Sequence, residues 1–252
     1  MKAIRRTLCL ALVAMMLCAA AVPALAATKT IYLEGKDSNY GWAWFTVGEY
    51  KKGTKITNVK SSKPSVLSLN RVEIREGENT NYENKKYSNS YVNLEVECRA
   101  RKAGSAKITY KANGKAKSQA VAVKAYTNPV KSFVLTGLGN ANLKSKFATD
   151  DYCSAEDLKK DAPAGLLKVS AASGWKISSL YFNDGDNDIQ YEFYSWGKPV
   201  SSAKLNVPAM KAGKHYYMWA NFVNTKTKGE IEVTYSIREY YDADDYYDDY
   251  ED

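Results

Sequence analysis

The stretch YFNDGDNDIQYEF, residues 181–193, holds the side chains with the clearest capacity for chemistry. Asp184, Asp186 and Asp188 alternate with Gly185 and Asn187, an oxygen-rich spacing that suits calcium. An EF-hand loop wants Asp at positions one, three and five, Gly at six and a bidentate Glu at twelve. Counted from Asp184, position six is Ile189 and position twelve is Ser195, so the sharp turn and the bidentate ligand are missing. The flanks, WKISSLYF and IQYEFYSW, alternate like strands, and Asn183, Gly185 and Asn187 tolerate turn conformations. The stretch therefore reads as a hairpin tip, with a low-affinity calcium site at Asp184, Asp186 and Asp188 as the alternative.

Other chemistry is sparse. His215 is the chain's one histidine, and it lies in the strand-like run KHYYMWANF. The sequence has no G-x-S-x-G, no H-E-x-x-H, no C-x-x-C and no phosphate-binding glycine loop. No catalytic residue, no cofactor and no structural zinc is expected, so the chain reads as a non-enzyme. Hydrolysis by paired carboxylates needs only two acids and stays open.

The aromatic residues offer a different kind of site. Trp42 and Trp44 in YGWAWFTV are two apart and share one face of a strand, as a stacking platform for sugar rings would require. A sandwich core uses the same spacing more often, and that reading is preferred for this pair and for Trp175, Trp196 and Trp219. Tyr82, Tyr87 and Tyr91 lie in a polar hairpin; they are candidate partner contacts, although Tyr suits exposed strands in any case.

Two cysteines matter once the first residues are set aside. In YVNLEVECRA, Val92, Leu94, Val96, Cys98 and Ala100 share the apolar face, which puts Cys98 in a core. Cys153 sits in a polar stretch further on, so Cys98 and Cys153 are expected to be free thiols with no disulfide.

Lys2, Arg5 and Arg6, the apolar run LCLALVAMMLCAAAV and then PALAA predict a signal peptide over residues 1–26, cleaved after Ala26. No transmembrane segment is expected afterwards, and the destination is secretion or non-covalent attachment to a bacterial surface. At the far end, EYYDADDYYDDYED, residues 239–252, carries eight acidic residues and five tyrosines and reads as a disordered acidic tail. Between them lie 33 basic and 20 acidic residues, a net charge of +13. That balance suits an anionic wall polymer or acidic glycan as partner, against the plainer reading of solvated lysines on strand faces. No nucleic-acid partner is expected.

The elements that must position these residues are strands. Short alternating runs recur throughout, divided by turn signals such as ANGK at 112–115 and NTKTKG at 224–229. Only SAEDLKK, residues 154–160, reads as helical, with Ser154 as N-cap and Pro163 beyond its end. Asn128-Pro129 divides the chain into residues 27–127 and 128–238. The fold class is all-β, with two tandem β-sandwich, immunoglobulin-like domains.

In the first domain, KITNVKSSKPSVLSL places Ser61, Ser62, Pro64 and Val66 in an S-S-x-P-x-V pattern. RKAGSAKITYKANGK adds Ala103, Gly104, Ala106, Ile108 and Thr109 in an A-G-x-A-x-I-T pattern. Both blocks, in this order, resemble the bacterial immunoglobulin-like domain of group 2, over roughly residues 28–126. The departure is the insert NRVEIREGENTNYENKKYSNSY between them. The resemblance implies a β-sandwich of surface and adhesion proteins with no catalytic residues. MKAGKHYYMWANF in the second domain echoes RKAGSAKITYKA, with Gly213 in the place of Gly104. The function expected is cell-envelope binding or adhesion. The alternatives are a secreted carbohydrate-active protein whose second domain binds or cleaves glycans, and a structural spacer.

Overall fold

The computed structural model describes residues 27–36, 41–79, 89–155, 158–185 and 189–237. The signal peptide, Tyr82, Tyr87, Asp186, Asp188 and the acidic tail lie outside the described residues.

Alternating burial builds the first half into two facing sheets. One sheet holds β1 (Lys29–Tyr32), β3 (Ile56–Ser61), β6 (Gly104–Ala112) and β7 (Lys115–Lys124), in the order β1-β7-β6-β3. The other holds β2 (Gly41–Lys51), β4 (Leu67–Asn79) and β5 (Asn89–Ala100), in the order β2-β5-β4. Val92, Leu94, Val96, Cys98 and Ala100 of β5 all face inward and are buried. They meet Ala106, Ile108 and Tyr110 of β6 and Val121 and Val123 of β7 in one core. Leu94 and Ile108 are wholly buried, which removes enough apolar surface to contribute about 1.5–3 kcal/mol each. The turn at ANGK has Asn113 at φ 47° and Gly114 at φ 78°. Both values fit the left-handed pair of a two-residue hairpin, as the Asn-Gly signal requires.

The two sequence blocks that carry the family resemblance meet in space. The Ser62 N–H donates to the Lys107 carbonyl at 2.8 Å and the Lys107 N–H to Ser62 Oγ at 2.9 Å. The Arg101 N–H donates to the Val66 carbonyl at 2.9 Å. A Cβ at Gly104 would lie 3.3 Å from the Val66 side chain, so the glycine makes room for the valine that ends the other block.

The second half repeats the layering with different strand counts. A three-stranded sheet joins β8 (Val130–Leu135), β10 (Gly165–Ala171) and β13 (Ser202–Val207) in the order β13-β10-β8. A five-stranded sheet joins β9 (Tyr152–Ala155), β11 (Trp175–Asp184), β12 (Ile189–Tyr194), β14 (Tyr216–Asn224) and β15 (Glu230–Ile237) in the order β12-β11-β14-β15-β9. Phe133, Leu167, Ile177, Leu180, Phe182, Met218 and Phe222 fill the space between them. The expectation of an all-β chain of two sandwiches holds. Two short 3-10 turns, Thr136–Leu138 and Leu143–Phe147, are the helical pieces among the described residues.

One expectation fails. Ser154 and Ala155 do not start a helix; they end β9, which runs parallel to β15 with Cys153 opposite Tyr235 and Ala155 opposite Ile237. Local helix signals lose here to pairing with a strand eighty residues away, which also supplies backbone hydrogen bonds to an edge. Cys153 thereby packs against the second core, while Cys98 lies in the first. Desolvation pushes the Cys98 thiol up to about 12 and the Cys153 thiol up to about 11.

The halves are stitched where β1 leaves the first sheet. Tyr32 and Tyr126 belong to the second core, and Tyr32 meets Trp175 at 5.1 Å between ring centroids. Gly35 pairs with Asp150, the Lys36 N–H donates to the Thr149 carbonyl at 2.6 Å, and the Asp151 N–H to the Glu34 carbonyl at 2.9 Å. The Tyr126 hydroxyl closes the joint by donating to the Phe147 and Asp150 carbonyls. No helix among the described residues is long and apolar enough to cross a membrane.

Candidate functional site

The Asp184 stretch is a hairpin. β11 pairs antiparallel with β12, Asp184 lies opposite Ile189, and the Gly185 N–H donates to the His215 carbonyl at 3.1 Å. Asp184 ends its strand beside Tyr216 of β14. Among the described residues, no group of three or more His, Cys, Asp and Glu side chains is placed to hold a metal ion.

Trp42 and Trp44 are not core residues. They stand on the outer face of the β2-β5-β4 sheet at 46% and 42% exposure, while Ala43 and Phe45, in the alternate phase, pack on the core. Both phases of YGWAWFTV are apolar, so alternation alone does not choose the buried face. Arg71 and Arg75 place their guanidinium groups 5.8 and 5.5 Å from the centre of the Trp44 ring, and Arg99 lies 5.8 Å from Trp42. The Trp44 indole N–H donates to Glu95 at 3.2 Å, and Glu73 bridges Arg71 and Arg75. The result is a ladder of alternating cations, rings and carboxylates. It occupies the indoles with the protein's own charges. Tyr91 lies on the same sheet over Gly77, where a Cβ would come within 2.6 Å of its ring.

The second sandwich presents the more open aromatic surface. Trp175 is buried, as a core reading requires, but Trp196 is 88% exposed and Trp219 only half-buried. On the outer face of the five-stranded sheet, Tyr181 stacks on Trp219 with centroids 5.0 Å apart and planes 18° apart. Tyr194 meets Tyr181 edge-on at 5.4 Å, and Trp196 meets Tyr194 at 5.7 Å. These four rings form one continuous row across β14, β11 and β12 and out onto the following turn. The register explains the row: Tyr181 lies opposite both Trp219 and Glu192, and Tyr194 opposite Ser179. A hydrogen bond between the Tyr181 and Tyr194 hydroxyls pushes the Tyr194 phenol up to about 12.

Polar groups flank the rings on the same face. The Asn221 side chain donates to Ser179 Oγ at 3.0 Å. Desolvation raises the Glu232 carboxyl, and its hydrogen bond with Asn221 offsets part of that rise. Gln190 and Glu192 line the β12 side, and Tyr152 joins Ser236 by a 2.9 Å hydroxyl contact on the β15 side.

Trp196 is held outward by its backbone. It has φ 46°, followed by Gly197 at φ 80°, and the Lys198 N–H closes the turn on the Ser195 carbonyl at 3.1 Å. Glycine meets that geometry without strain, but a bulky residue in the left-handed region costs on the order of 1 kcal/mol. An exposed indole on a strained turn contributes little to the core in return. The core expected for Trp196 therefore does not hold, because the residue falls in the turn after β12 and not in a strand; the signal within SWGK is Trp where Asn or Gly is usual.

No protein-family model matches the chain, and no curated protein does. Solved structures do. Surface layer protein SbsC, domains 4–9, is similar over 84% of this chain and 30% of that one, at 16% identity and TM-score 0.28. A chimeric titin Z1Z2 is similar over 84% of this chain and 92% of that one, at 10% identity and TM-score 0.25. The endo-fucoidan hydrolase MfFcnA9 of glycoside hydrolase family 107 is similar over 84% and 33%, at 9% identity and TM-score 0.24. The chain thus spans less than a third of the SbsC fragment.

Proposed function

We propose that this protein is an exported, non-catalytic binding protein of the bacterial cell surface, and that the outer face of its five-stranded sheet holds glycan chains. The observation that carries the reading is Trp196, 88% exposed at the end of the Trp219–Tyr181–Tyr194 row. Flat aromatic faces receive the apolar faces of sugar rings, and flanking amides and carboxylates receive the hydroxyls. Asn221, Gln190, Glu192 and Glu232 supply that second requirement beside the rings. Binding is favoured over cleavage by spacing. Glu192 on β12 and Glu232 on β15 are separated by two intervening strands, about 14 Å between backbones, and stand at opposite sides of the aromatic row instead of facing each other across it.

We also assign the first sandwich to the group 2 bacterial immunoglobulin-like family. The mutual hydrogen bonds of its two motif blocks, and the fit of Gly104 against Val66, support that assignment. The export signal read over residues 1–26 supports the location.

A glycan array on the mature protein, followed by calorimetry on each hit, tests the binding reading. Trp196→Ala removes an exposed ring, so stability changes by less than about 0.5 kcal/mol. Covering half of that ring with a sugar buries on the order of 100 Å² and is worth roughly 2.5 kcal/mol. Affinity should fall by one to two orders of magnitude, while Trp42→Ala leaves it unchanged. Equal affinity for Trp196→Ala and the parent protein would retire the proposal.

A further inference from the structure

Charge is distributed very unevenly over the first sandwich. The strands of the β1-β7-β6-β3 sheet contain seven lysines (Lys29, Lys60, Lys107, Lys111, Lys115, Lys117 and Lys124) and not one Asp or Glu. The strands of the facing sheet contain six acidic and four basic residues, and there Arg71 and Arg75 pair with Glu73 and Glu95. The same asymmetry shows in the chain, where residues 98–149 hold eleven basic residues and no acidic one.

The register collects much of this charge on one surface. The outer face of the sheet runs Lys60–Thr109–Ser118 in one row and Thr57–Lys111–Ala116 in the next, with Lys107 beside Ala120. The alternate residues, Ala106, Ile108, Tyr110 and Ala112, are buried, which fixes the lysines outward. Small residues of β7 make a low floor between them. A groove of about 820 Å³ follows, lined by Lys60, Lys107, Lys111 and Lys117 with Thr109 and Ser118, and with a single carboxylate, Glu49, among its lining residues. Among the described residues, the salt bridges found engage none of these four lysines.

We propose that this face is a second binding site, separate from the aromatic row, for a linear polyanion whose charges are phosphodiesters. Same-face strand residues repeat every 6–7 Å, so Lys107 and Lys111 stand about 13 Å apart, with Lys60 roughly 5 Å to the side of the midpoint. A flexible chain carrying one phosphate every 6–7 Å meets an ammonium at every second charge, with the Thr109 and Ser118 hydroxyls between. The lysines of this face, on strands that carry no carboxylate, repel one another, and an anionic chain relieves that repulsion. A neutral sugar gains nothing from this surface.

The test uses the mature full chain and a synthetic oligo(glycerol phosphate) as the probe, with dextran sulfate and neutral dextran as comparison polymers. Exchanging Lys60, Lys107 and Lys111 for Glu should weaken binding of the phosphate polymer at least tenfold at 50 mM salt. The triple Gln variant should weaken it less, and should lower the salt dependence, which scales with the number of ammonium–phosphate contacts. A control with Lys131, Lys176 and Lys204 of the second sandwich exchanged for Glu carries the same net charge and should bind as the parent does. Equal weakening by the control would mean that net charge alone acts and would overturn the site. Dextran sulfate binding as tightly as the phosphate polymer would overturn the phosphodiester assignment. Trp196→Ala should leave this binding intact, so the site stands or falls independently of the glycan reading.

Discussion

Asp151 is the carboxyl at the joint between the halves, and its environment makes a sharp prediction. Burial is the main reason that its carboxyl is pushed up to about 8; a hydrogen bond with Asp150 and the charges of Glu34 and Asp150 add to it. Its backbone is tied on both sides, by the Glu34 carbonyl and by the Thr234 N–H at 2.7 Å. In the unfolded chain the group ionises near pH 3.9. Below that pH both states carry the proton and the group is neutral to stability. From there to about pH 8 the unfolded state has lost the proton and the folded state keeps it, so stability falls as pH rises. A shift of four units sets a ceiling of roughly 5 kcal/mol. Water reaching the exposed Asp150 screens the carboxylates and reduces this to about 2 kcal/mol. Asp151→Asn keeps a donor for Asp150 and cannot ionise. It should therefore raise the melting temperature at pH 8 by about 4–8 °C, with the difference vanishing near pH 3.5. Thermal unfolding followed by circular dichroism across that range decides the matter. A variant that is less stable than the parent at pH 8, or a difference independent of pH, would refute a protonated Asp151 at the joint. Glu34, raised mainly by burial, has the same sign, so Glu34→Gln should act in the same direction.

Gly229 faces Tyr32 at 2.9 Å and Thr30 at 3.0 Å from a would-be Cβ; Gly229→Ala should cost about 1–3 kcal/mol by overpacking, measured by urea denaturation. Deleting residues 239–252 removes eight acidic residues; if the tail competes for the basic body, affinity for anionic polymer should rise at low salt and the gain should shrink as salt is added, and equal affinity would leave the tail a solubilising appendage. Calcium should leave the melting temperature within about 1 °C, since Asp184 ends a strand and no bidentate ligand stands where a calcium loop needs it; a large rise abolished by Asp186→Ala would reverse that reading.

Strand identity was legible wherever one face was polar. YVNLEVECRA alternates cleanly, and Cys98 is buried as its phase requires. YGWAWFTV does not alternate in polarity, because Ala43 and Phe45 oppose Trp42 and Trp44; Val47 continues their inward face, and a bulge between Thr46 and Gly48 then shifts the phase so that Tyr50 packs on the core. The pairing partner decided which face turned out. Tyr152–Ala155 became a strand for the same reason, through a long-range contact that local spacing does not encode. The aromatic row joins the β11–β12 hairpin and the turn that follows it to β14, a strand further along the chain, so no single motif announces it. The lysine face is an intermediate case. The acid-free run of residues 98–149 was readable, but that β3 and β1 extend the same surface follows only from sheet order.

The pairing of β1 with β7 has a mechanical consequence. Lys29–Tyr32 runs parallel to Val121–Lys124, and the chain leaves β7 toward the second sandwich at Tyr126. Tension drawn between residue 27 and the second sandwich therefore pulls the two strands past each other along their length. Their cross-strand hydrogen bonds are strained together in shear, whereas a hairpin pulled from its open end gives way one bond at a time. Tyr32, seated in the second core beside Trp175, must also be drawn out before the strands can slide. A chain held at residue 27 and at the second sandwich thus meets resistance at the joint that unites the two sandwiches.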